Sequence, residues 1–172
     1  MMSRAIKSML IIAAIGFWIA AATPVWAEGD DPKALAAALK DATATLQAGL
    51  SASEPQGTPI SAKFEIEDGK LQLSVYTMKG NDFMEVVADP KTGAIAKAEK
   101  ITDADDLKAA ASQKAATAKA KVPLFTATES AVKANPGFRA VSIFPELKGG
   151  NAVAEVTLLQ GTTFKKVTEK LD

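Results

Sequence analysis

Two short motifs in this chain have the form of an acyl-transfer site. Ser130-Ala131-Val132-Lys133 sets a hydroxyl and an amine one helical turn apart, and Lys91-Thr92-Gly93 has the form of the element that accompanies Ser-x-x-Lys in serine acyl-enzymes. The order is wrong for that chemistry: Ser-x-x-Lys comes first where the two work together, and here it comes second. The chain is also far too short for the fold that assembles them. A solvated helix face and a turn are the simpler readings. His and Cys are absent, which excludes Ser-His and Cys-His nucleophiles and any imidazole or thiolate metal site. Asp103, Asp105 and Asp106 lack the glycine and distal glutamate of a calcium loop, and they stand where acidic residues cap a helix. Glu65 and Glu146 could supply a carboxylate pair for hydrolysis, but nothing around them in the sequence would raise a carboxyl pKa. The chain reads as non-catalytic, with no cofactor and no metal.

Binding is then the chemistry left, and one apolar set is a candidate for it. Tyr76 and Met78 are out of phase with Leu71, Leu73 and Val75, so the alternation sends them to the other strand face. With Met84 and Val86 they form a candidate partner-contact patch. Packing between two copies of a repeated unit is the other reading of this set, and the one favoured, because interfaces between domains need such patches. A partner could also add a strand to a sheet edge. Lys165, Lys166 and Lys170 on the final strand look like protection against indiscriminate pairing there.

The elements that must position these residues occur twice. Pro55, Ser61, Glu65, Gly69, Val75, Gly80, Phe83 and Val86 recur 81 residues later as Pro136, Ser142, Glu146, Gly150, Val156, Gly161, Phe164 and Val167, without a gap. The period exceeds the 20–50 residues of solenoids, so it marks two copies of a small domain.

In the first copy, Leu35, Leu39, Ala42 and Leu46 predict an amphipathic helix over 32–49, with Asp31 as N-cap, Pro32 at its first position and Gly49 as its stop. The period then changes to two. Ile60, Ala62, Phe64 and Ile66 share a strand face opposite Lys63, Glu65 and Glu67. Asp68-Gly69 turns into a second strand, Lys79 to Asp82 into a third over 83–88, and Asp89 to Gly93 into a fourth over 94–101. The second copy predicts a helix over 126–134 and strands over 138–144, 151–159 and 162–169, with Pro145 marking an edge or a bulge. Between the copies an Ala/Lys-rich helix is expected over 102–121, shallowly packed because its apolar face is mostly alanine. A unit of about 70 residues is marginal alone, so the copies should pack together and unfold together. The expected organisation is a signal peptide at 1–27, a first unit at 28–101, a connecting helix at 102–123 and a shorter second unit at 124–172.

Arg4 and Lys7 precede an apolar run over 9–22, and Pro24-Val25-Trp26-Ala27 has the form of a signal-peptidase site. Fourteen apolar residues fall short of the roughly 20 needed to span a bilayer, so cleavage after Ala27 and a periplasmic or secreted protein without a stable membrane anchor are expected. Removing Arg4 and Lys7 leaves 18 basic and 20 acidic side chains, a net charge of −2 that argues against nucleic acid as partner. No disulfide can staple the exported chain.

The stretch from Ala62 to Thr77, with its Asp68-Gly69 turn, and the stretch from Glu85 to Ile95, with Asp89-Pro90-Lys91-Thr92-Gly93, resemble the PepSY domain. The resemblance covers the first copy; the second keeps Gly150, Gly161 and Phe164 but lacks the Asp-x-Lys-Thr-Gly turn. It implies an α+β fold of two tandem cystatin-like units, each a helix on a 3–4-stranded antiparallel sheet. It also implies a non-catalytic role, inhibiting or modulating an extracytoplasmic peptidase or envelope protein. The alternative is a carrier or sensor holding a small ligand between helix and sheet.

Overall fold

Period-two alternation needs a buried face for each strand, and the chain meets that need with one shared sheet. The computed structural model describes residues 31–172; the expected signal peptide lies outside the described residues. The strands are β1 (Thr58–Glu67), β2 (Lys70–Lys79), β3 (Asp82–Ala88), β4 (Ile95–Lys100), β5 (Arg139–Lys148), β6 (Asn151–Gln160) and β7 (Thr163–Lys170). Their order is β4-β3-β2-β1-β5-β6-β7, with every pairing antiparallel. A separate sheet for each unit is not what forms: β1 and β5 lie side by side and meet at Ala62↔Ile143 and Lys63↔Ser142.

The offset of 81 residues reappears in the strand bounds, which are the same for β1 and β5 and for β2 and β6 once shifted. It reappears in an irregularity too. The register shifts between Pro59 and Ser61 where β1 pairs β2, and between Ala140 and Ser142 where β5 pairs β6. A bulge inserts one residue and interrupts side-chain alternation. Ile60 therefore leaves the face of Ala62 and Phe64, against its spacing, and packs with Tyr76, Ile101 and Ala110. Pro145 marks neither an edge strand nor this bulge. β5 runs through it at the centre of the sheet, and its register with β1 stops at Ile143, which removes the demand for a ladder bond on that side.

The helix expected over 32–49 is two helices, α1 (Pro32–Ala38) and α2 (Leu46–Ser53). Asp31 caps α1 by accepting from the Lys33 amide, and Pro32 follows it as expected. A 3-10 turn at Leu39–Asp41 ends the first piece, and Thr45 caps the second by accepting from the Ala48 amide. Gly49 is no stop. It lies inside α2, where a Cβ would come 2.5 Å from Leu73 Cδ2, so it lets the helix approach β2.

α4 (Leu124–Ala134) packs beside α2 on the same face as the main core, which includes Leu46, Leu50, Leu73, Val75, Ile143, Val156 and Leu158. α3 (Ala104–Thr117) lies against β5, β1 and β6. Its Ala110 joins Tyr76, which alternates with the core residue Val75, so α3 covers the opposite face. The connecting segment thus forms a layer of the fold.

Candidate functional site

A chain that leaves α3 on one face and enters α4 on the other must cross the end of the sheet. Residues 118–123 make that crossing, and the amides of Lys121 and Val122 donate to the Leu171 carbonyl, which fixes its path. The crossing leaves a cavity of about 520 Å3 between α2, the first residues of β1 and the start of α4. Leu50, Pro59, Val122, Leu124 and Phe125 give it apolar walls, and Thr58 and Thr117 add hydroxyls. Glu54 and Lys121 stand exposed at its margin, and neither forms an ion pair among the described residues. Gly57 belongs to the wall because nothing larger fits: φ is +142°, and a Cβ would lie 2.6 Å from the Met78 carbonyl oxygen. Such a space, mainly apolar with a few polar groups, has the character of a small-ligand site. Its signal in the sequence is the set of apolar residues Val122, Leu124 and Phe125 flanking Pro123 directly after an Ala/Lys-rich helix.

The four candidate contact residues do not form one patch. Paired residues of antiparallel strands point to the same side, and the register pairs Met78 with Phe83 and Thr77 with Met84. Tyr76 and Met78 therefore share a face with Phe83, while Met84 and Val86 lie on the face of the main core. Val86 is fully buried and Met84 packs against that core. Tyr76 is buried beneath α3 and hydrogen-bonds Asp106; burial, then the charges of Asp106 and Glu85, push its phenol above the ordinary value. Packing within the chain takes up most of the set.

The uncovered part of the α3 face carries a carboxylate group that sequence reasoning missed. Oxygens of Glu65, Glu67 and Glu85 lie within 4.8 Å of one another. Lys63 pairs with Glu65, and Gln72 Nε2 donates to Glu65 Oε1 at 3.2 Å and to Glu67. Burial and the Glu65 charge raise the Glu85 carboxyl above its usual range, against a hydrogen bond from Ser74 that lowers it. The raised carboxyl belongs to Glu85 and arises from cross-strand neighbours, which no local window contains.

The remaining candidates have structural partners. Asp103 accepts from the amides of Asp105 and Asp106 at the start of α3. Asp89 accepts from the amides of Lys91 and Thr92 and from the Thr92 hydroxyl, which close the Lys-Thr-Gly turn and hold the Asp89 carboxyl below its usual range. Ser130 and Lys133 are exposed on α4. Glu146 pairs with Lys148 at 2.7 Å. Among the described residues, no helix is long and apolar enough to cross a membrane.

No family model and no curated protein matches the chain. Among solved structures, a candidate lipoprotein from Clostridium difficile 630 is similar at 16% identity and a TM-score of 0.37, over 66% of this chain and 75% of that one.

Proposed function

We propose that this chain is an exported, non-catalytic binding module of PepSY type, and that it holds a small ligand in the cavity at the crossing from α3 to α4. The cavity is the observation that carries this reading: about 520 Å3 of mainly apolar space, with charges of both signs at its margin that form no ion pair among the described residues. The non-catalytic part rests on a sequence with no His and no Cys. Modulation of an extracytoplasmic peptidase is the competing role. The contact patch that would have favoured it is divided between two sheet faces and largely buried.

The test is a thermal-shift screen of the purified protein against lipids and metabolites, repeated with Ala120→Phe, since Ala120 also lines the cavity and a ring there would fill it. A compound that raises Tm in the wild type and not in the variant supports the reading. If no compound shifts Tm and in-cell crosslinking repeatedly captures one envelope peptidase, the small-ligand role is overturned in favour of the competing one.

A further inference from the structure

A second cavity, of about 470 Å3, opens at the start of β5, and its charge differs from that of the first. Leu39 and Lys40 border it from the turn after α1, Phe138 and Arg139 from the approach to β5, and Leu159 and Gln160 from the end of β6. No acidic side chain lines it. The half-buried Arg139 guanidinium donates from Nη1 to the carbonyls of Leu39 (3.2 Å) and Ala42 (2.8 Å), and from Nη2 to that of Ala44 (2.8 Å). It also lies 5.2 Å from the centre of the Phe64 ring. All these partners are neutral.

A guanidinium has five N–H groups, so the Nε hydrogen and one on Nη2 have no acceptor among the described residues. Lys40, exposed at the cavity, likewise has no ion pair among them. Beside the cavity, Lys165 lies 5.9 Å from the Phe138 ring centre and donates to the Asn135 side-chain oxygen, again a neutral partner. Of these cations Arg139 alone is drawn partly out of water, and with no counter-charge it favours an anion beside it.

We propose that this cavity binds a small carboxylate with an apolar body. The carboxylate lies against Arg139 and Lys40, which match its charge and its two acceptor oxygens. The body lies against Leu39, Phe138 and Leu159. This site is independent of the first cavity.

The test is an NMR titration of the 15N-labelled protein with sodium hexanoate, following the amides of Gly137, Leu159 and Gly161, with hexanol and inorganic phosphate as comparison probes. Saturable shifts at those amides with hexanoate, weaker with either comparison probe, are expected. Lys40→Gln should raise the apparent Kd about tenfold, as the loss of a charge-assisted hydrogen bond would. Arg139→Lys is a secondary variant, since it also removes the bonds that hold the 39–44 segment. Four results overturn the proposal: no saturable shift at millimolar hexanoate, an unchanged Kd in Lys40→Gln, an equal response to hexanol, or an equal response to phosphate. Shifts confined to residues around Glu54 and Lys121 also overturn it, while leaving the first cavity's role intact.

Discussion

β1–β3 and β5–β7 place valines at matching positions, Val75 opposite Val86 and Val156 opposite Val167, with Val75 and Val156 fully buried. Both carry a bulge at the same point, and in both a phenylalanine, Phe83 or Phe164, follows the turn into the third strand. The match is already partial in the core, where Ala62 corresponds to Ile143 and Leu73 to Ala154, and outside it the match ends. Glu65, Glu67 and Glu85 correspond through the 81-residue offset to Glu146, Lys148 and Lys166. The first set crowds three carboxylates together. In the second, Lys148 pairs with Glu146 and Lys166 with Glu155, each at 2.7 Å. The cavities differ in the same way, since Thr58 on the wall of the first corresponds to Arg139 in the second. At Ala62 and Ile143, and at Leu73 and Ala154, equivalent core positions change volume and stay apolar, whereas positions facing solvent or a cavity change charge. One strand frame thus carries two different arrangements of charge.

The comparison fails at its root if the two halves are not one cooperative body, and the seam between them is where to look. Ile143 is fully buried opposite Ala62, so truncating it leaves a hole that its small neighbour cannot fill. Ile143→Ala is expected to cost about 2–5 kcal/mol. Tyr76, the single tyrosine of the chain, reports on the other half. Its fluorescence and far-UV circular dichroism should share one lowered midpoint. Two midpoints would mean that the halves unfold separately.

A smaller change tests the layer that covers only part of the second face. Tyr76→Phe removes the hydrogen bond to Asp106 and keeps the ring against Ile60 and Ala110. The expected loss is about 0.5–1.5 kcal/mol. Amide exchange should speed up in α3 and stay unchanged in β6 and β7. Uniform loss of protection would show that α3 is bound into the core more firmly than its alanine-rich face suggests.

The strands were legible because alternation and the Asp68-Gly69 and Asp89-to-Gly93 turns are local signals, and the caps at Asp31 and Asp103 were legible for the same reason. What escaped depends on partners distant in sequence. The break after Ala38 is stabilised by Thr43 and Ala44, which bond to the carbonyls of Lys91 and Pro90. Gly49 reads as a helix stop until Leu73 lies against it. Tyr76 reads as a contact with a partner or with the other copy until α3 crosses the sheet, and Ile60 reads as core-facing until the bulge turns it over. Both cavities lie between segments far apart in the chain, so residue types alone did not reveal them.

The gentlest test replaces one charge in each half. Burial and the Glu65 charge hold the Glu85 carboxyl above its ordinary value of 4.5, so the folded chain binds that proton more tightly than the unfolded chain does. The stabilisation from this group is fully present below the ordinary value and is lost as pH rises through the raised one. Glu85→Gln should therefore flatten the pH dependence of stability in that window. At neutral pH it should stabilise the protein by about 0.2–1 kcal/mol, the usual size of cross-strand charge terms. Lys166→Gln should act with the opposite sign, since it removes the partner of Glu155, and by no more than about 1 kcal/mol for so exposed a pair. Urea melts of both variants across mildly acidic to neutral pH separate the two. A Glu85→Gln protein less stable than the wild type at neutral pH would mean that Lys63, Gln72 and Ser74 outweigh the crowding. The halves would then differ in how their charges are arranged, and not in whether those charges are compensated.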